Sequence, residues 1–157
     1  MIYYAYFHSL MTYGIILCGN SPYSNHLFRL QKKIITITDS KNRDSCRNLL
    51  KNLNIFTFIS QYIFSLLIFV ITNTEQNITN LNIHGSNTRY GSNFHQTISN
   101  LSLYQRRSFH MGLMVFNGLP TYIKDTSYNV KQFKCLLKNY SLFESFLDIG
   151  RVFPIQK

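Results

Sequence analysis

From Asn52 to Thr74 the chain carries no charged residue, and Ile55–Ile71 within it is largely Ile, Phe, Leu and Val. No other feature restricts the fold as tightly, because such a run must leave water for a protein core or for lipid. A membrane span needs roughly 20 apolar residues. Asn52, Asn54, Thr57, Ser60, Gln61 and Ser65 dilute the first half, so the run reads as a buried core helix over about residues 57–72. A single membrane span near Ile55–Ile71 is the alternative. The bases Lys41, Arg43, Arg47 and Lys51 would then hold its N-terminal side in the cytoplasm.

The flanking segments supply helices to pack against such a core. Residues 2–17 are apolar nearly all round and predict a second buried helix. After Ser21-Pro22-Tyr23-Ser24, which suits a helix start, Leu27, Leu30, Ile34 and Ile37 recur with helical period, and Arg29, Lys32 and Lys33 fall off that stripe. Asp39–Asp44 reads as a polar turn. Asp44 or Ser45 can then cap a short helix carrying Leu49, Leu50 and Leu53, with Arg47 and Lys51 sharing a face. Residues 73–100 are rich in Asn, Thr, Ser and Gly and lack a period, which predicts a long loop with a short strand. The apolar stretch Phe109–Phe116 stops at Asn117-Gly118-Leu119-Pro120. A last helix begins near Asn129, with Val130, Phe133, Leu137 and Tyr140 as its apolar stripe and Lys131, Lys134 and Lys138 as a basic one. The expected fold is mainly α: a small bundle of about five or six helices. Its parts are an N-terminal helical part (1–72), a polar loop (73–105) and a C-terminal helical part (106–157) of one domain.

Charge narrows the function. Sixteen Lys and Arg face six Asp and Glu across 157 residues, a formal charge of +10. Only 14% of residues are charged, so the imbalance comes from missing acids rather than abundant bases. The acids Asp39, Asp44, Glu75, Asp125, Glu144 and Asp148 are a thin pool for a carboxylate pair or a two-metal site, and no polymerase or nuclease cluster is visible among them. No Gly-Lys-Ser/Thr loop, Gly-x-Ser-x-Gly turn or His-Glu-x-x-His motif occurs, and His8, His26, His84, His95 and His110 are scattered. The expectation is a non-enzyme with no catalytic residue, cofactor or metal. The sixteen Asn are read as coding bias, and no site is built on them.

Cys18, Cys46 and Cys135 lack zinc-ligand spacing and predict buried reduced thiols in an intracellular protein. The N-terminus has no charged signal-peptide region and opens abruptly in apolar sequence, as though cut from something longer. What remains is two basic helix faces, Arg29/Lys32/Lys33 and Lys131/Lys134/Lys138, with Arg89 in the loop. By pattern alone they read equally as solvated outer faces; the shortage of acids to offset them favours nucleic acid, with phosphates as the contacts. Tyr23 and Tyr140 are candidates for stacking on bases.

The order of segments resembles a known family. Tyr6-Phe-His-Ser-Leu-Met-Thr-Tyr-Gly-Ile-Ile-Leu-Cys-Gly-Asn and Leu30-Gln-Lys-Lys-Ile-Ile-Thr-Ile-Thr are similar to the region after the polymerase palm in jockey-type non-LTR retrotransposon reverse transcriptases. Asp44-Ser-Cys-Arg-Asn-Leu-Leu-Lys, Tyr62-Ile-Phe-Ser-Leu-Leu-Ile-Phe-Val, Asn87-Thr-Arg-Tyr, Phe116-Asn-Gly-Leu-Pro and Val130-Lys-Gln-Phe-Lys-Cys-Leu-Leu-Lys follow in the matching order, over roughly residues 3–147. The resemblance implies a thumb-like helical region that lies beside an RNA–DNA template–primer duplex and packs on a polymerase palm. The palm's Tyr-x-Asp-Asp motif and the family's endonuclease have no match here. Cys18-Gly19 stands where the family usually has Trp-Gly, and Thr36 where it has a base, both consistent with drift in a relic copy. A face made to meet a palm would also leave apolar surface exposed.

Overall fold

A computed structural model describes residues 3–38, 46–73, 78–85, 89–98 and 100–144. The uncharged run forms helix α4, Phe58–Thr72, one residue from its expected start. Before it come a π-helical segment, Tyr3–His8, that runs into α1, Ser9–Cys18; then α2, Ser24–Thr38, and α3, Cys46–Asn52. After it come α5, Asn80–His84; α6, Ser102–Gln105; α7, Ser108–Asn117; α8, Thr121–Lys124; and α9, Val130–Glu144. Among the described residues the fold is therefore mainly helical, with an isolated antiparallel bridge between Thr79 and Phe94 and no strand. The chain divides into two compact units, Met1–Tyr62 with Asn139–Lys157, and Ile63–Lys138, the divisions falling within α4 and α9.

The first unit is organised by a buried glutamine. Gln31 of α2 is 0% exposed. Its amide nitrogen donates to the Tyr3 hydroxyl at 2.8 Å and to the Phe56 carbonyl at 2.7 Å, and its Oε1 accepts from the Phe58 amide at 2.7 Å. The first turn of a helix leaves amides without intrahelical partners, and burial makes an unpaired one costly. Here Gln31 takes the first amide of α4. The Thr57 hydroxyl accepts the Ser60 amide at 3.1 Å, while the two hydroxyls pair at 2.8 Å. The polar residues that dilute the uncharged run thus include the cap of its helix.

Around this network Tyr3, Ile35, Leu49, Leu50 and Ile55 form an apolar cluster, flanked by Phe7, Ile34, Cys46 and Leu53. Helix α3 enters it through a Schellman stop. Asn54 takes the left-handed φ of 52°, its amide donates to the Lys51 carbonyl, and the Ile55 amide donates to the Leu50 carbonyl. The cap expected from Asp44 or Ser45 lies outside the described residues. Gly19 is buried, and a Cβ there would collide with the Tyr62 ring. The Cys18-Gly19 pair therefore keeps its glycine for a packing reason.

The second unit contains the rest of α4, where Ile63, Leu66, Leu67, Val70 and Ile71 are buried. Helix α7 meets it at Gly112, whose missing Cβ leaves room for Val70 and Leu66. Asn117-Gly118-Leu119-Pro120 ends α7 as expected, and the Asn117 side chain does more. Its Oδ1 accepts the Phe94 amide at 3.0 Å and its Nδ2 donates to the Phe94 carbonyl at 2.9 Å, while the Phe94 and Phe116 rings lie 4.5 Å apart.

Four expectations need correction. Residues 3–18 are helical but not buried all round: among their apolar side chains only Tyr3 and Ile15 are buried, and Leu10, Tyr13 and Leu17 are exposed. On α2 the buried line runs Ser24, Phe28, Gln31, Ile35, one residue beyond the expected stripe. Leu27, Leu30 and Ile34 are half-buried and Ile37 is 75% exposed. The reason is Gln31: a hydropathy pattern counts it as polar, whereas its three bonds place it at the centre of the buried face. Cys18 and Cys135 are exposed and Cys46 half-buried, so the thiols are not sequestered in the core. The segment expected as a loop with a short strand has no strand among its described residues, and its loop is interrupted by the five-residue α5, capped by the Thr79 hydroxyl on the Asn82 amide and closed by Gly85 at φ +63°.

The Tyr62 hydroxyl is buried and has no hydrogen-bond partner among the described residues. We expect Tyr62→Phe to leave stability unchanged or raise it by about 1 kcal/mol, since the lost group has no bond to lose. Gln31→Ala should instead cost about 3 kcal/mol or more by leaving buried groups unpaired. Urea unfolding of both variants checks the contrast. Burial also pushes Tyr3 and Tyr62 up to about 12 from the ordinary 10, with the Gln31 hydrogen bond pulling Tyr3 partly back. Both are neutral when folded, so their contribution is fully present below pH 10 and is lost between pH 10 and about 12. Unfolding midpoints at pH 8, 10 and 11.5 should fall only across the last interval.

Candidate nucleic-acid interface

A buried face on an amphipathic helix leaves its opposite face to solvent, and long cationic side chains settle there. On α2 the buried line through Phe28, Gln31 and Ile35 leaves Arg29, Lys32 and Lys33 exposed. Their i, i+3, i+4 spacing makes one patch. The Lys32 ammonium sits 4.2 Å from the centroid of the Phe28 ring, which holds its stem along the helix. Lys32 also opposes the upward push that burial gives the Cys46 thiol.

On α9 the expected stripe holds. Phe133 and Leu137 are buried, Val130 and Tyr140 are half-buried, and Lys131, Lys134 and Lys138 are exposed one residue on. Asn129 caps the helix, its Oδ1 accepting the Lys131 and Gln132 amides at 3.1 and 3.4 Å. The Lys trio belongs to the second unit and the α2 trio to the first. Arg89 stands exposed in a turn after α5, on neither helix face. The Tyr23 ring is exposed.

Two features escape a reading by helical period. Arg106 and Arg107 are exposed between α6 and α7, and the Arg107 guanidinium lies 5.2 Å from the Tyr104 ring centroid. A paired cation and aromatic of this kind suits stacking on a base, and the adjacent Tyr104-Gln-Arg-Arg is the signal that could have marked it. Lys124, by contrast, is structural. Its Nζ donates to the Asn117 carbonyl at 2.7 Å and to Asn93 Oδ1 at 3.0 Å, and burial lowers its pKa.

Residues 3–38 and 46–73 contain no Asp or Glu. No group of three His, Cys, Asp or Glu side chains is placed to hold a metal ion among the described residues. His110, buried, is within 3.2 Å of the Gln96 amide and edge-on to Tyr104, a packed histidine rather than an exposed base. No protein family, curated protein or solved structure gives a significant match to this chain.

The division between structural and unengaged cations can be measured. Lys124→Met should lower stability by about 1–2 kcal/mol, since it unpairs the Asn117 carbonyl and the Asn93 side chain. Lys33→Ala, Lys131→Ala, Lys134→Ala and Lys138→Ala should each stay within about 0.5 kcal/mol of the parent. Thermal unfolding of the five variants separates the two groups.

Proposed function

We propose that this chain is a helical nucleic-acid-binding module without catalysis of its own. Phosphate contacts come from the outer face of α2 in the first unit and, separately, from the outer face of α9 in the second. The observation that carries the reading is that Arg29, Lys32, Lys33, Lys131, Lys134 and Lys138 are all exposed on helix faces that bury their opposite sides. Among the described residues, 3–38 and 46–73 hold no acid, so phosphate is a fitting counter-charge for the α2 trio. Arg89 is a lesser contact from its turn. The resemblance to the thumb-like region of a jockey-type reverse transcriptase supports the same reading, with an RNA–DNA duplex as the natural ligand and a polymerase palm as the natural neighbour.

The alternative of a membrane span is less well supported. Helix α4 has 15 residues, a rise of about 22 Å against a hydrocarbon core of about 30 Å. No helix among the described residues is long and apolar enough to cross a membrane.

Binding by phosphate contacts releases counterions, so affinity should fall steeply with salt and depend little on sequence. Anisotropy titrations with two RNA–DNA duplexes of unrelated sequence should give equal affinities. Replacing Arg29, Lys32 and Lys33 together by Ala should weaken binding at least tenfold at low salt. It should also flatten the log–log salt slope by about 2–3. A folded parent that does not bind at low salt, or a triple variant that binds unchanged, would contradict the proposal.

A further inference from the structure

Helix α1 and the π-helical turn before it expose an apolar seam, with Tyr4, Ala5 and Cys18 also exposed beside it. Tyr6, Leu10, Tyr13 and Leu17 are 70%, 78%, 96% and 84% exposed, while Ile15 is 2% exposed. On α1, Leu10, Tyr13 and Leu17 have the 3-4 spacing of the core positions of a helix pair, and Tyr6 extends the seam by four residues into the π-helical turn. No Asp, Glu, Lys or Arg occurs before Arg29, so the seam offers nothing to a charged partner. Its polar neighbours are already satisfied. Ser9 Oγ donates to the Ala5 carbonyl at 2.8 Å, and Thr12 Oγ1 to the His8 carbonyl at 2.8 Å. A Cβ at Gly14 would meet only open space.

We propose that this seam pairs with the same seam of a second copy, as an antiparallel two-fold helix pair. The pattern is self-complementary under reversal. A two-fold axis between Met11 and Thr12 sets each Tyr6 against the Leu17 position of the other copy, and each Leu10 against its Tyr13 position. Every tyrosine then meets a leucine, and the small residues Ser9 and Gly14 exchange places beside the seam. An isologous contact needs this self-matching, and the absence of charge lets two strongly basic molecules meet here without opposing like charges. The seam buries on the order of 600 Å² per copy, against about 800 Å² in a standard interface, so the dimer should be weak, about micromolar. This pairing is independent of nucleic-acid binding.

Sedimentation equilibrium of the full chain tests it. The parent should pass from monomer to dimer between about 1 and 100 μM. Leu10→Asp should remain monomeric over that range with an unchanged circular dichroism spectrum, because the side chain it replaces is exposed. The double variant Leu10→Asp/Tyr13→Lys should dimerise again, since an antiparallel pair sets each Asp beside the other copy's Lys. A parallel pair would instead align like charges and stay apart. A parent that remains monomeric, a Leu10→Asp variant that still dimerises, or a double variant that does not recover would overturn the proposal. So would a monomeric parent whose seam binds phosphatidylcholine vesicles in a Leu10-dependent way.

Discussion

The first unit depends on one amide. Gln31 joins the start of the chain, the segment before α4 and the first turn of α4 through three hydrogen bonds, both amide protons and one oxygen lone pair. A buried amide of this kind tolerates only one arrangement, because any slip leaves a donor or acceptor unpaired in a low-dielectric setting. Apolar packing alone would admit several rotations of α2, and the Gln31 bonds select one. That choice decides which face of α2 looks inward and therefore where Arg29, Lys32 and Lys33 stand. The placement of those three cations follows from the core.

Asparagine has a comparable role in the second unit. Asn117 pairs with both backbone groups of Phe94 as a strand would, and Asn80 Nδ2 donates to the Tyr90 carbonyl at 3.2 Å. Lys124 joins the carbonyl of Asn117 to the side chain of Asn93. A segment short of apolar residues is thus ordered by side chains that substitute for backbone partners. Coding bias can explain why asparagine is common in this chain; it does not explain these particular bonds.

Helix existence was legible in the sequence wherever period and stop signals agreed. The ranges of α4 and α7 and the apolar stripe of α9 fall close to expectation. Where a buried position is polar, the pattern misleads. Gln31 shifted the inward face of α2 by one residue, and no periodicity rule could have placed it, since its partners lie 25 to 28 residues away. The first helix failed for the opposite reason. Uniform apolarity carries no phase, so it cannot say which side is covered, and the Tyr6–Leu17 seam emerged only from the packing. Among the cations, exposure of the two trios was legible from their offset to the stripes. The anchoring of Lys124 was not, because it depends on contacts with Asn93 and Asn117.

On the proposed reading the cations of α2 and, independently, those of α9 contact phosphate and are not merely solvated side chains. Lysine acetylation of the folded chain, read residue by residue by mass spectrometry with and without an RNA–DNA duplex, tests it most directly. Protection concentrated at Lys32, Lys33, Lys131, Lys134 and Lys138, with Lys51 of α3 unchanged, is the predicted result. Reactivity that the duplex leaves unaltered at all five, or lowers equally at every exposed lysine, would contradict it.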